Sequence, residues 1–287
     1  MKSLLPETDR ILLGPGPSMT APRVMRAMAA PTVGHLDPLM VAMLDDTRAK
    51  LTKLFRAPEG SFAFAVSGTG TSGMETAVAN IVKQGSKATV LINGYFGDRL
   101  AQMCERYGAT VTRVTGEWGR AFDPALLEKS LSTTPADVVA MVHGETSTGV
   151  NNPIGELTAI ARRHDALTIV DAVTSFGAVQ LEVGAWGVDV CYSCTQKGLG
   201  APSGLAPGDL GFYARPAVSW IEGNYLTLRP SFSDASAIYA YRTEVVWDDP
   251  MRPVGAVTTS SCELYWLVSE GARRRVTAMA RSKTAAP

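Results

Sequence analysis

Between residues 61 and 195 short apolar runs alternate with amphipathic stretches, and that alternation leaves few folds open to the chain. The runs are SFAFAVSG (61–68), KATVLING (87–94), ATVTRVTG (109–116), DVVAMVHG (137–144), LTIVDAV (167–173) and DVCYSCT (189–195). Between them, METAVANIVK (74–83), GDRLAQMCERYG, DPALLEKSLS and IGELTAIARRHD carry apolar residues at helical spacing. Strands that are apolar on both faces and separated by helices predict an α/β domain with a mostly parallel sheet flanked by helices. In such sheets ligands collect beyond the carboxyl ends of the strands, so the residues at those exits carry the chemistry.

The flanks read differently. After GPGPS comes a helix-like stretch over 23–30, then DPLMVAMLDDTRAKLTKLF, which sets Met40, Met43, Leu44, Leu51 and Phe55 near helical spacing. These helices are expected to pack on the domain or on a partner subunit. Beyond Pro216 prolines 230, 250 and 253 interrupt the pattern, and only ELYWLVSEGARRRV (263–276) reads as helical.

Composition narrows the function classes. Hydrophobic residues make up 46% and charged residues 19% of the 287, as in a soluble globular enzyme. Acidic and basic residues balance at 27 each, with no basic block interleaved with aromatics, which argues against nucleic acid as the main partner. The start, MKSLLPETDRILLGPGP, has too short an apolar run for a signal peptide, and no run is long enough to span a bilayer, so no membrane role and a cytoplasmic location are expected. Cys104, Cys191, Cys194 and Cys262 do not suggest a disulfide framework in a chain of this length. Cys191 and Cys194 spell C-x-x-C, but within a run read as a strand and with no second ligand pair, so they read as buried structural thiols.

SGTGTSGME (67–75) follows the first strand and opens a helix, a place where glycine lets backbone approach a ligand and free N–H groups favour an anion. Gly68, Gly70 and Gly73 match G-x-G-x-x-G, yet the next strand ends in Asn93-Gly94, without the carboxylate a dinucleotide ribose requires. Thr69, Thr71 and Ser72 offer hydroxyls that suit a single phosphate; a tight turn with a capped helix is the alternative. Asp171 ends LTIVD and would present a carboxylate to a metal, a hydroxyl or a protonated ring nitrogen. No acidic or His-rich cluster stands at the other exits, which makes metal the weaker option. Lys197 lies in SCTQKGLGAPSGLAP (193–207), among small residues and without a carboxylate near it in sequence, where a lysine can attack carbonyls as a free amine. A phosphate cradle, an aspartate and a lysine in that order fit pyridoxal 5′-phosphate.

Seven motifs extend this reading: LLGPGPS near residue 12, GHLDP (34–38), SGTGTSGME, NGYFGDR (93–99), HGETSTGV (143–150), VDAVTSFG (170–177) and SCTQKGLGAPSG (193–204). In that order they resemble the class V aminotransferases of fold-type I, nearest the alanine–glyoxylate and serine–glyoxylate (serine–pyruvate) group. The resemblance implies Lys197 as the Schiff-base lysine and Asp171 as partner of the pyridine nitrogen. It implies Thr69, Gly70 and Thr71 on the phosphate, with Gln196 as a further donor. Phe96 would stack on the cofactor ring, with capping of the core as its alternative role, while Ser147 would lie near the phenolic oxygen and Val173 against the ring. Gly14 and Gly16 would line a pocket for small amino acids. His143 reads as structural, and no metal site is implied. The activity implied is transamination between alanine or serine and a 2-oxo acid such as glyoxylate or pyruvate, in a homodimer. A lyase or desulfurase with Cys262 as the late candidate thiol, or an impaired cofactor-binding chain, are the alternatives.

The resemblance further implies an N-terminal arm over 1–20, a cofactor-binding large domain over 21–250, and the start or remnant of an incomplete small C-terminal domain over 251–287. The family's paired histidines are missing from AVTTSSCELYW (256–266), where Thr258 is the candidate for a threonine reaching the neighbouring subunit's phosphate. Arg229, Arg242 and Arg252 do not stand in the motif of the family's carboxylate-binding arginine.

Overall fold

In the computed structural model of the chain, residues 11–209 are described in full, and residues 223–230, 237–245 and 265–268 as backbone strands. The chain divides into two compact units, Met1–Phe212 and Tyr213–Pro287.

The first unit opens with α1 (Pro22–Met28) and α2 (Pro38–Phe55). Both begin with proline, whose fixed φ suits the first turn and whose missing N–H costs nothing there. At α2 the Asp37 carboxylate also accepts the Leu39 N–H at 2.8 Å. Then follow β1 (Ala63–Gly68), α3 (Gly70–Ile81), β2 (Lys87–Ile92), α4 (Tyr95–Arg106), β3 (Thr110–Thr115), α5 (Pro124–Thr133) and β4 (Val138–Val142). A two-strand ribbon, β5 (Gly144–Glu145) with β6 (Val150–Asn151), leads to α6 (Ile154–Arg163), β7 (Leu167–Asp171), α7 (Val183–Trp186), β8 (Val190–Tyr192) and β9 (Gly204–Asp209).

The main sheet has the order β1-β9-β8-β7-β4-β2-β3. The pairs β2/β3, β2/β4, β4/β7 and β7/β8 are parallel, and β9 is antiparallel to both neighbours, β8 and β1. All six strands expected from the sequence therefore point the same way and share one carboxyl edge. Every residue of β4 is buried, because helices cover both faces of a sheet of this kind. β9 is the strand the periodicity did not show. GLAPGD holds two glycines and a proline, residues depleted in strands, yet Pro207 still joins the ladder as an acceptor, its carbonyl taking the Ser193 N–H at 2.8 Å.

The expected packing of the N-terminal helices holds for the end of α2. Leu51 and Phe55 are buried, and the Phe55 ring stacks on Phe176 at 4.0 Å between centroids. Leu39, Val41, Met43 and Leu44 remain exposed, and α1 buries none of its residues. Phe55 and Phe176 are 0% and 1% exposed, so truncation leaves a void with no route to collapse. Phe55→Ala is expected to cost about 3–5 kcal/mol, read from urea unfolding midpoints.

In the second unit β10 (Gly223–Pro230), β11 (Ala237–Val245) and β12 (Tyr265–Val268) form an antiparallel sheet in that order. This corrects the helical expectation over 263–276, whose segment 265–268 is a strand. Tyr265, Trp266, Leu267 and Val268 are aromatic and apolar, favourable in strands, and they pair with Ala240 back to Ala237, a partner that helical spacing cannot reveal. Arg229 and Arg242 lie on β10 and β11. Arg252, Thr258, Cys262 and the domain boundary at 250 lie outside the described residues, as does the remainder of 251–287 apart from β12.

Candidate active site

The carboxyl edge of the main sheet gathers the exits of β1, β2, β4, β7 and β8. Asp171, the last residue of β7, is 3% exposed and held at both oxygens. Oδ1 accepts the Val173 N–H at 2.8 Å and Oδ2 accepts the Tyr192 O–H at 2.7 Å. Burial pushes its carboxyl up to about 6, against the lowering from those two donors. Burial likewise drives the Tyr192 phenol well above its ordinary range, so the O–H stays a donor. Sequence reading missed Tyr192. The available signal was register, since a parallel β7/β8 pair sets Tyr192 beside Asp171.

Lys197 lies in a tight loop beyond β8. The Gly200 N–H donates to its carbonyl at 2.9 Å, and the Thr195 hydroxyl donates to Pro202 O at 2.6 Å. The N-terminal arm crosses this loop. Ser18 donates from its N–H to Gln196 O and from its Oγ to Lys197 O, each at 2.7 Å, and Lys197 Nζ donates to Pro15 O at 2.7 Å. Gly16 sits there with φ +133°, and a methyl group on it would run into the lysine side chain, 2.8 Å from Nζ. Glycine is required on both counts. Gly14, by contrast, has nothing within 4 Å of the place a methyl group on it would take.

At the exit of β1, Thr69 leads into α3 through a capping box, the alternative weighed for this turn, in which Ser72 Oγ accepts the Thr69 N–H at 3.3 Å. Thr71 Oγ1 accepts from Arg99 Nη2 at 2.9 Å. A methyl group on Gly70 would lie 2.9 Å from Val173 Cγ2 and 3.7 Å from Cys194 Cβ, so the start of α3 abuts the residues following β7 and β8. Arg99 is a second residue missed, although NGYFGDR shows a cation just after the first turn of α4. Its charge also lowers the Asp171 pKa. Among the described residues the buried Gln196 Oε1 has no hydrogen-bond partner.

At the exits of β2 and β4, Phe96 is half-buried and lies outside the buried core. Ser147 is exposed, and its Oγ accepts the Tyr95 N–H at 2.9 Å. The structure thus brings Thr69, Gly70, Thr71, Val173, Asp171, Gln196 and Lys197 to one edge, with Phe96 and Ser147 adjoining one another on its β2–β4 side.

His143 behaves as a strand-end residue. Burial holds its imidazole down to about 4, and the ring meets Trp186 edge-on at 5.6 Å. Cys191 and Cys194 are buried and unpaired, and burial raises both thiols. Among the described residues, no three His, Cys, Asp or Glu side chains form a group able to hold a metal, and no helix is long and apolar enough to cross a membrane.

A model of the family Aminotransferase class-V matches residues 11–206, the stretch that builds this edge. The chain belongs to the class-V aminotransferases. One relative of this class-V chain is the (S)-ureidoglycine–glyoxylate transaminase of Bacillus subtilis, 38% identical over 198 residues, which are 69% of this chain and 47% of the relative. Another is the alanine–glyoxylate aminotransferase of Drosophila melanogaster, 34% identical over 200 residues, 69% of this chain and 50% of the relative. The crystal structure of an alanine–glyoxylate aminotransferase from Nostoc sp. superposes with a TM-score of 0.71 at 40% identity, covering 76% of this chain and 57% of that one. The fold is therefore the fold-type I architecture anticipated from the motifs. The class-V chain spans about half the length of the curated relatives it matches.

The residues present fit pyridoxal 5′-phosphate, the cofactor that family membership implies. An anion would find the N–H groups that the capping box leaves at the start of α3, with Thr71 and Arg99, a protonated ring nitrogen would find Asp171, and an aldehyde would find the Lys197 amine.

Proposed function

We propose that this class-V chain catalyses transamination between a small L-amino acid, alanine or serine, and a 2-oxo acid, glyoxylate or pyruvate. The observation that carries the reading is Asp171, a buried carboxylate fixed at both oxygens on the same sheet edge as Lys197 and the start of α3. Thr69, Gly70 and Thr71 hold the phosphate with Gln196, Val173 and Phe96 bracket the ring, and Ser147 reaches the phenolic oxygen. Pyridoxal 5′-phosphate supplies an aldehyde that takes up the amino nitrogen and a protonated ring that withdraws electrons.

Within that frame each side chain has a task. Asp171 holds the proton on the ring nitrogen, since a carboxylate shielded from water favours an adjacent cation. Lys197 Nζ takes the proton from Cα of the donor and returns one to Cα of the acceptor, which requires it to leave the Pro15 O it donates to in the loop. Gly16, pressed against the lysine, narrows the substrate side and favours small amino acids; Gly14 lies further along the same segment. The names of both curated relatives include glyoxylate, which supports it as the acceptor. The uncovered apolar side chains of α1 and α2 support a homodimer, and the buried free thiols support work in the reducing cytosol.

The test is direct. With pyridoxal phosphate the purified chain should gain a visible absorbance band. L-alanine plus glyoxylate should then give pyruvate and glycine, or L-serine should give hydroxypyruvate. A chain that binds the cofactor but forms no oxo acid from either donor would exclude the reaction.

A further inference from the structure

Glu145, the last residue of β5, is 1% exposed and is absent from the site as read from sequence. Its carboxylate meets four donors. Oε2 accepts the N–H groups of Phe96 and Gly97, both at 3.1 Å, in the first turn of α4. Oε1 accepts the Ser147 N–H at 3.1 Å and the Ser147 O–H at 2.6 Å. Ser147 Oγ closes the circuit by accepting the Tyr95 N–H. A full negative charge thus stands where the helix start offers unpaired donors and a favourable dipole, supplied from a different strand exit. Gly94 makes the room for it: a methyl group there would run into Glu145 Cγ and Cδ and come within 2.7 Å of Ser147 Oγ.

We propose that Glu145 is a positioning residue that locks Phe96 and Ser147 to each other, so that the ring-stacking and oxygen-binding groups of the proposed site move as one piece. This rests on the cofactor reading above. The pattern demands a carboxylate. An amide offers one acceptor oxygen and two donors, so in either orientation a glutamine would turn its NH2 towards backbone N–H groups that cannot reverse. Glu145→Gln is isosteric and leaves no void, which separates loss of the lock from loss of packing.

The experiment titrates pyridoxal phosphate into the full chain and follows the circular dichroism of the cofactor band, which reports how the ring is held. Glu145→Gln is expected to bind about tenfold more weakly than wild type and to show an altered band. In a Phe96→Ala/Ser147→Ala background the same substitution should cost less than about threefold, since the groups it acts through are gone. Wild-type binding and dichroism in Glu145→Gln would overturn the role, and so would a tenfold loss that persists undiminished in the double background. Should Glu145→Gln not fold, Ser147→Ala, at an exposed position, replaces it; unchanged dichroism there would count against the lock. A wild-type chain that takes up no cofactor would overturn the transaminase reading itself, whereas binding by wild type and Glu145→Gln alike overturns only the lock.

Discussion

Lys197→Ala is expected to lower turnover of alanine with glyoxylate by at least about 10³-fold, the scale of losing both a covalent anchor and the proton carrier. The fold should survive. Among the described residues Nζ makes a single hydrogen bond, to Pro15 O, and the loop around the lysine is held by backbone and Thr195 rather than by the lysine side chain. The arm also stays tied through Ser18 to the carbonyls of Gln196 and Lys197, which an alanine keeps. Unchanged far-ultraviolet dichroism together with loss of the visible cofactor band is the expected signature. Residual turnover above a tenth of wild type would remove Lys197 from the reaction.

Asp171→Asn should act in two opposite directions. Turnover should fall by about 10²-fold or more, because an amide cannot hold the ring nitrogen protonated. The cofactor-free chain should become more stable at neutral pH. Burial raises the Asp171 pKa from 3.8 to about 6, so the folded state binds this proton more tightly than the unfolded state. The folded chain therefore carries a desolvation cost that is absent below about pH 4, grows between pH 4 and pH 6, and is complete above pH 6. Asparagine removes that cost while its oxygen still accepts from Val173 and its NH2 can donate to the Tyr192 oxygen. The gain should be about 1–3 kcal/mol at pH 8 and should vanish towards pH 4, read from urea midpoints across that range. Parallel pH profiles for the two proteins would show that Asp171 is not the strained group. Divergent profiles would make cofactor binding what compensates the wild-type site, as a cation replaces lost water.

The parallel core was legible because its central strands β2, β4, β7 and β8 are apolar enough to be buried on both faces, and because the exits fall at residues with distinct chemistry; β1 and β3, at the two edges of the sheet, stay partly exposed instead. Asp171 and Lys197 could be placed on one edge from strand ends alone. Tyr192 and Glu145 could not. Each matters through a partner from another strand exit, and that pairing depends on register and on the crossing of the 143–150 ribbon over α4, neither of which leaves a periodic trace. β9 was hidden for a different reason. Its glycines and proline carry no strand propensity, and it exists because β8 and β1 offer it a ladder on both sides. β12 reversed an expectation for the same cause, a neighbour that outweighs local spacing.

The reversed direction of β9 bears on how such a chain comes to exist at all. Within the main sheet β1 pairs with β9 alone, Ala63 to Asp209 through Gly68 to Gly204. On a ribosome, β1 and the start of α3 emerge early, yet their berth in the sheet is made only when residues 204–209 have left the tunnel. Until then an apolar strand must wait, held by α3 and the end of α2, exposed to whatever else is in reach. The step that closes the main sheet is also the step that brings the glycine-rich turn beside the lysine loop, so a nascent chain halted before β9 has every parallel strand read from the sequence and still lacks its site.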